Sequence, residues 1–122
     1  MTDILIVDDD STFGQLTLER IETMGYSAVF HQGPFGTMNA VRMARPKLVI
    51  LDVNMPGLDG PQINSLLRAR DGLGTTKVML MSSIDQRELD TLAKQHGIDA
   101  ALHKSAGRAE LRTMIDRLLR HA

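Results

Sequence analysis

Residues 48–53 read Leu-Val-Ile-Leu-Asp-Val, an apolar run of strand length that is interrupted only by Asp52. A continuous rather than alternating run indicates a strand buried on both faces, as in a parallel sheet. Residues 4–7, Ile-Leu-Ile-Val, form a second run of this kind near the start of the chain. These stretches predict a buried parallel sheet. The Asp52 carboxylate within it is unusual in an apolar strand and indicates a functional residue.

The rest of the chain alternates short apolar runs with segments of helical periodicity. Further strands are predicted at 27–30, 78–81 and 100–103. Each run is followed by a segment with an apolar stripe at helical spacing. In chain order, the five stripes are Phe13, Leu16, Ile21 and Met24; Met38, Val41 and Ala44; Ile63, Leu66 and Leu67; Leu89, Leu92 and Ala93; and Leu111, Met114, Ile115, Leu118 and Leu119. Five strands and five helices in strict alternation predict an α/β domain whose parallel sheet is covered on both faces.

Several residues mark the predicted helix ends. Gly25 and Gly97 end the first and fourth helices as C-caps. Pro61 opens the third helix in its first turn, a position that proline favours. Ser83 and Gln86 have the spacing of a capping box at the start of the fourth helix.

Length and composition set limits on the kind of protein this is. The 122 residues fit one compact domain, spanning 1–122. The absence of cysteine excludes disulfides and zinc-thiolate sites, and it favours a reducing compartment. A formal net charge of −1 gives no basic field for direct nucleic-acid binding. No apolar run approaches the ~20 residues of a membrane span, and the first ten residues are unlike a signal peptide, so we expect a cytoplasmic protein without a membrane partner.

Unusual polar residues follow the predicted strands. They are Asp8, Asp9 and Asp10 after the first strand, Asp52 and Asn54 at the third, Ser82 and Ser83 at the fourth, and Lys104 at the fifth. In parallel α/β sheets, ligands bind at the carboxyl ends of the strands, which share one edge of the sheet. The sequence therefore predicts that these residues meet in one site.

The chemistry of this set favours phosphoryl transfer. Asp8, Asp9 and Asp52 would repel one another unless a hard divalent cation joined them, and magnesium prefers such oxygen ligands. A carboxylate such as Asp52 can attack phosphorus as a nucleophile. The peripheral oxygens of the transferring group need charge stabilisation, which the metal, the Lys104 ammonium and the Ser82 hydroxyl can supply. Asp52 is therefore predicted to accept a phosphoryl group in a magnesium-dependent pocket.

Each residue also has a simpler explanation. Residues 8–10 can be a turn and a helix N-cap, and Asp52 can be a turn former at a strand end. Ser82 and Ser83 can be helix caps, and Lys104 can be a solvated lysine. The coincidence of all of them at predicted strand ends favours a shared site.

Four segments also resemble a known family: residues 4–10, 49–60 and 81–83, and Lys104. They are similar to the receiver domain of response regulators in two-component signalling, including the single-domain chemotaxis type. The similarity runs over the whole chain, and 49–60 is its most specific segment. It implies a flavodoxin-like (βα)5 three-layer sandwich with a five-stranded parallel sheet of order 2-1-3-4-5.

The resemblance implies roles for the site residues. Asp52 receives the phosphoryl group from a histidine kinase or a histidine phosphotransfer protein, Ser82 bonds the phosphoryl oxygen and Lys104 pairs with the phosphate. The implied Mg²⁺ ligands are Asp8, Asp9, Asp52 and Asn54, the last through its backbone carbonyl. Such a protein is not an enzyme beyond its own phosphorylation and dephosphorylation, and it switches a surface toward a downstream protein that the sequence does not identify.

Three positions depart from the family pattern or modify it. Ser105 stands where the family usually has a proline in a cis peptide. Because a non-proline cis bond costs ~3 kcal/mol, we expect a trans bond or a strained exception, and with a trans bond a different aim for Lys104. Ala101 replaces a usual Tyr or Phe, which predicts weak switching or switching by backbone movement alone. Ile84 should lie near the pocket mouth and slow the attack of water on the phosphoryl group.

Three other functions remain as alternatives. A receiver-like interaction module that has lost switching would explain Ala101 and Ser105. A phosphohydrolase of the haloacid-dehalogenase type also uses a nucleophilic aspartate and magnesium, but it has a second acid where this chain has Asn54. A flavodoxin-like flavin binder shares the predicted layout, although the acids at 8–10 would repel the FMN phosphate.

Overall fold

The structure of the chain, a computed structural model, describes residues 2–53, 55, 57, 60–69 and 75–120. Strands and helices alternate along it: β1 (Ile4–Asp8), α1 (Ser11–Thr23), β2 (Ala28–Gln32), α2 (Thr37–Ala44), β3 (Leu48–Asp52), α3 (Gly60–Ala69), β4 (Lys77–Ser82), α4 (Gln86–Gln95), β5 (Ala100–His103) and α5 (Arg108–Arg120). The strands form one sheet in the order β2-β1-β3-β4-β5. The predicted flavodoxin-like fold is therefore confirmed.

Every strand pair in the sheet is parallel. β1 lies between β2 and β3, with Ile4 opposite both Ala28 and Leu48. β4 lies between β3 and β5, and its Ser82 is opposite His103. In this register the carboxyl ends of all five strands lie along the same edge of the sheet.

The apolar residues of the strands fill two cores, one on each face of the sheet. Strand residues such as Leu5, Val49 and Leu80 pack with residues of α2 and α4 on one face. Ile4, Ile50 and their neighbours pack with residues of α1 and α5 on the other. Because successive side chains of a strand point to opposite faces, only a continuous apolar run can supply both cores.

Helix α1 presents a different side to the sheet than its periodicity predicts. Leu16, expected in the core, is 43% exposed, whereas Gly14, Thr17 and Ile21 are buried. The cause is a close approach of α1 to β2, because a methyl group at Gly14 would overlap the ring of Phe30. The residues at 14, 17 and 21 therefore form the buried side, and the prediction for Leu16 is wrong.

The predicted capping box of α4 is also wrong. Asp85 is the N-cap and accepts a hydrogen bond from the Arg87 backbone N–H at 3.2 Å. Ser83 lies two residues too early to cap the helix. The side chain of Gln86 instead accepts a hydrogen bond from the His103 backbone N–H at 3.1 Å and donates one to Asp90 at 2.9 Å.

Other boundaries agree with the sequence. Gly25 and Gly97 follow the C-caps of α1 and α4 with φ of 92° and 66°, as expected of C-terminal glycines. Pro61 lies in the first turn of α3. The side chains of the predicted stripe at 63, 66 and 67 lie outside the described part of the structure, and so does Asn54. In the described part of the chain, no helix is long and apolar enough to cross a membrane.

Candidate functional site

Three carboxylates meet at the carboxyl edge of the sheet. Asp8 ends β1 and Asp52 ends β3, and these strands are neighbours. One carboxylate oxygen from each of Asp8, Asp9 and Asp52 lies within 4.8 Å of the other two. Asp8 and Asp52 are buried, at 3% and 7% exposure, whereas Asp9 is half-buried. The predicted convergence of these acids is found.

Lys104 directly follows β5, the edge strand of the sheet, and its side chain extends to the acids at the ends of β1 and β3. Its Nζ is 2.8 Å from Asp8 Oδ2 and 3.7 Å from Asp52 Oδ1. The same Nζ lies 4.6 Å from the centroid of the Phe13 ring. Its side chain is 15% exposed, so Lys104 is not a solvated lysine. One ammonium thus lies beside two of the three carboxylates, Asp8 and Asp52.

The turn that carries Lys104 contains a trans peptide bond. Among the described residues, the cis bond is Gly33–Pro34, and Lys104–Ser105 is trans as expected. The Lys104 backbone N–H donates to the Ser82 carbonyl at 2.8 Å, which holds the start of the turn beside β4. The trans turn therefore brings the lysine to the acids without a proline at 105.

Ser82 ends β4 between the ends of β3 and β5, and it is 2% exposed. Its Oγ accepts a hydrogen bond from the Ile84 backbone N–H at 3.2 Å. Because the hydroxyl accepts in this bond, its hydrogen can be donated to another acceptor. Ile84 itself is half-buried against the core on the α2 and α4 face, and Ala101 packs against the same core.

The acidic run after β1 has two structural uses as well. Asp10 is the N-cap of α1 and accepts a hydrogen bond from the Phe13 backbone N–H at 3.1 Å. Asp8 Oδ1 accepts one from the Asp10 backbone N–H at 2.9 Å. The helix-cap interpretation is therefore correct for Asp10, while Asp8 both shapes the turn and faces Lys104 with its other oxygen.

Two contacts of the site were not predicted from the sequence. Phe13 was placed in the core stripe of α1, yet its ring also lies under the Lys104 ammonium. His103 was not among the predicted site residues, yet its ring is hydrogen-bonded to Ser83 in the loop after β4 and to Ser105 in the turn after β5. Its position directly before Lys104 was the one available signal in the sequence.

Comparison with known proteins identifies the family of this site. The family model for the response regulator receiver domain matches residues 4–116. The DNA-binding response regulator MtrA of Mycolicibacterium paratuberculosis is 31% identical over 101 residues, covering 83% of this chain and 44% of that protein. The chain thus spans less than half the length of this relative.

Solved structures show the same fold. The chemotaxis protein CheY4 of Vibrio cholerae superimposes with a TM-score of 0.87 at 23% identity, covering 98% of this chain and 99% of that one. The receiver domain of the sensor histidine kinase PA1611 of Pseudomonas aeruginosa, which has a magnesium ion coordinated in its active-site cleft, has a TM-score of 0.84 at 20% identity, with 96% of each chain covered. With the family match over most of its length, the chain belongs to the response regulator receiver domains of two-component signalling.

Proposed function

We propose that Asp52 accepts a phosphoryl group, in the presence of Mg²⁺, from a histidine kinase or a histidine phosphotransfer protein. The observation that carries this proposal is the buried Asp52 carboxylate, 3.7 Å from the Lys104 ammonium and grouped with Asp8 and Asp9 within 4.8 Å. A buried group of acids with one ammonium suits a reaction that brings both a divalent cation and an anion into the pocket.

The donor set fits magnesium. Asp8, Asp9 and Asp52 offer only carboxylate oxygens, which hard cations prefer, and two of the three are buried at a strand end. Asn54 completes the proposed ligand set through its backbone carbonyl, and it lies outside the described residues. When bound, the metal supplies positive charge that offsets the repulsion among the acids and the charge on the phosphoryl oxygens.

The side chains divide the chemistry between them. A carboxylate oxygen of Asp52 attacks the phosphorus of the phosphohistidine, an O–P bond forms, and the P–N bond breaks with its electron pair leaving on the imidazole nitrogen, which takes up a proton. Lys104 already lies beside Asp52, so its ammonium can pair with the new phosphoryl group. The Ser82 hydroxyl, at the end of the neighbouring strand, can donate its hydrogen to a phosphoryl oxygen.

Phosphorylation would then change a protein-binding surface. A phosphoryl group on Asp52 would attract the Lys104 ammonium and the Ser82 hydroxyl. The backbones of these two residues are hydrogen-bonded to each other at 2.8 Å. This contact joins the ends of β4 and β5, and it can bias two arrangements of the adjoining loops. Because Ala101 has no aromatic ring to rearrange, the change would pass through the backbone of these loops.

The proposal includes the setting of the protein. We place one receiver domain over residues 1–122 in the cytoplasm, with protein partners and no direct contact with membrane or nucleic acid. Its chemistry is limited to its own phosphorylation and dephosphorylation. MtrA is a DNA-binding regulator, but the similarity covers 44% of that protein, and the formal net charge of −1 here gives no basic field.

Acetyl phosphate and Mg²⁺ test the proposal directly. The wild type should gain the mass of one phosphoryl group, and omission of Mg²⁺ should abolish the gain. Asp52→Asn should gain none, whereas Asp10→Asn is the matched control, because asparagine also serves as an N-cap. Labelling of Asp52→Asn to the same extent as the wild type would disprove the assignment.

A non-switching interaction module is the second candidate, and Ala101 is the observation that favours it. Beryllofluoride with Mg²⁺ mimics the phosphoryl group and separates the two functions. In a switch, the amide NMR shifts should change at Asp52 and also beyond the pocket, at Ser83 in the loop after β4 and at Leu102 in β5. In a non-switching module, the changes should stop at the pocket residues Asp8, Asp52 and Lys104.

A further inference from the structure

The turn after β5 carries Lys104 from the edge of the sheet into the acidic pocket. The Lys104 N–H donates to the Ser82 carbonyl at 2.8 Å, and the Ala106 N–H donates to the His103 carbonyl at 3.0 Å. Ser105, between these two bonds, has no ring to restrict its φ as a proline would have. The conformation at Ser105 therefore depends on its own hydrogen bonds.

The ring of His103 supplies those bonds. Its Nδ1 accepts a hydrogen bond from the Ser105 backbone N–H at 3.0 Å and lies 2.8 Å from Ser105 Oγ. Its Nε2 is 3.2 Å from the Ser83 carbonyl oxygen. Because a carbonyl can only accept, Nε2 must carry the hydrogen, and the lone pair on Nδ1 is left to accept from Ser105. This neutral tautomer makes both contacts at once.

The backbone of the same residue is tied to α4. The His103 N–H donates to Oε1 of Gln86, the first residue of α4, at 3.1 Å. Gln86 is in turn held by its Nε2, which donates to Asp90 at 2.9 Å. His103 thus connects the loop after Ser82, the first turn of α4 and the turn that contains Lys104.

We infer that His103 is a positioning residue, whose imidazole fixes the Lys104 turn and fastens it to the loop after Ser82. The contact from Nδ1 to the N–H two residues later has the form of an Asx turn, with the imidazole in place of the Asn or Asp side chain. It restrains Ser105 in this chain, at the position where related domains have proline. This inference rests on the proposed function, because it concerns how Lys104 is aimed at Asp8 and the phosphoacceptor Asp52.

The role predicts opposite effects on two ligands of the pocket. Without the imidazole contacts, Lys104 would sample more conformations and its ammonium would less often face the acids. An anionic phosphoryl mimic would then bind more weakly. Mg²⁺ would bind as well as before or better, because the ammonium that competes for Asp8 at 2.8 Å would be withdrawn. General damage to the fold would weaken both ligands together.

Three variants test this role in the full chain. His103→Phe keeps a planar ring and removes both ring hydrogen bonds. His103→Asn restores an acceptor for the Ser105 N–H in a genuine Asx turn, although it is too short to reach Ser83. His96→Phe is the matched control, since His96 is an exposed residue at the C-cap of α4. Calorimetric titration gives the affinity for Mg²⁺ alone and for beryllofluoride at saturating Mg²⁺, and thermal unfolding checks that each variant is folded.

We expect His103→Phe to lose about tenfold in beryllofluoride affinity, the size of one ordinary hydrogen bond, with Mg²⁺ affinity unchanged or raised. His103→Asn should recover most of the loss, and His96→Phe should match the wild type. Equal beryllofluoride affinity of His103→Phe and wild type, a parallel loss of Mg²⁺ affinity, or no recovery by asparagine would each overturn the inference. If the wild type binds no beryllofluoride with Mg²⁺, the proposed function fails and this inference fails with it.

Discussion

At the scale of single residues, the pocket is defined by its uneven charge. Asp8, Asp9 and Asp52 lie together, and the Lys104 ammonium is 2.8 Å from Asp8 and 3.7 Å from Asp52. Asp52 is thus a buried acid grouped with two other carboxylates. A carboxylate in this state suits a nucleophile, and it should also cost the fold some stability when no metal is bound.

Asp52→Asn should therefore stabilise the protein in metal-free buffer, by about 1 kcal/mol in the free energy of unfolding. Mg²⁺ at about tenfold over its Kd should stabilise the wild type by about 1.4 kcal/mol and the variant by less. Urea unfolding with and without Mg²⁺ measures both effects. Glu19→Gln, which removes an exposed negative charge from α1, is the control for net charge. A variant less stable than wild type without metal would contradict the proposed repulsion.

A second residue-scale effect involves Tyr26, whose hydroxyl donates to Asp116 of α5. Burial, and then the hydrogen bond and the charge of Asp116, raise the pKa of Tyr26 above its usual value of 10.0, against the opposing charges of Arg120 and Arg112. A raised pKa means that the folded protein holds this proton more tightly than the unfolded chain. The stabilisation is therefore complete below pH 10 and is lost as the pH rises through the raised pKa.

The comparison of wild type with Tyr26→Phe isolates this effect from the other titrating groups. Wild type should be the more stable at about pH 8, by about 1 kcal/mol, and this advantage should shrink above pH 10 as tyrosinate forms beside Asp116. Urea unfolding of both proteins across this pH range gives the difference directly. A difference that stayed constant with pH would show that the phenol proton does not contribute.

At the scale of elements, the sequence predicted each strand and helix that the structure describes, but not always the side of a helix that is buried. Continuous apolar runs predict strands well, because only such runs can fill two cores. Helix α1 shows the limit, since Leu16 has the right spacing for the core and yet is 43% exposed. The small residue Gly14 sets the contact instead, and its role depends on Phe30 across the interface with β2, which no local pattern reveals.

Gly14→Ala tests that contact with a clear sign. Alanine alone should favour a helix by about 1 kcal/mol over glycine. Here the added Cβ would lie 2.6 Å from Phe30 Cδ1, closer than real Cβ contacts, so we expect a net loss of about 1–3 kcal/mol in unfolding free energy. Chemical denaturation measures it. Gly14→Ala combined with Phe30→Leu should recover part of the loss, and Leu16→Ala, at an exposed site, should change stability little. A stabilised Gly14→Ala would mean that α1 does not approach β2 so closely.

The acidic part of the site could be predicted from the sequence, but its links to the loops could not. Asp8 and Asp52 end adjacent parallel strands, and the topology alone brings such ends together. The sequence predicted Ser83 as the cap of α4, whereas the structure uses Asp85, and the spacing of the capping box did not reveal this. The bridge from His103 to Ser83 depends on the pairing of β4 with β5 and on a side-chain rotamer, which periodicity does not specify.

At the scale of the whole molecule, the carboxyl ends and the amino ends of the strands have different functions. The carboxyl edge holds the acids, Lys104 and Ser82, with repulsion among its charges. At the opposite edge, Asp99 lies directly before β5 and accepts hydrogen bonds from the Val78 backbone N–H and from Arg68 of α3, each at 2.8 Å. This carboxylate ties the start of β4 to α3 and to the loop before β5. The acidic site and this paired carboxylate therefore lie at opposite ends of the strands.

Asp99→Ala tests this division of tasks. It should lower the unfolding free energy by about 1–2 kcal/mol, because it removes the partner of a partly buried backbone N–H at Val78. Labelling of Asp52 by acetyl phosphate should proceed at the wild-type rate at a temperature where the variant is fully folded, since the change lies at the other end of the strands. Glu19→Ala, which removes an exposed carboxylate from α1, controls for the loss of charge. If Asp99→Ala slowed labelling as much as it lowered stability, the two edges would be coupled through the sheet, and the separation proposed here would be wrong.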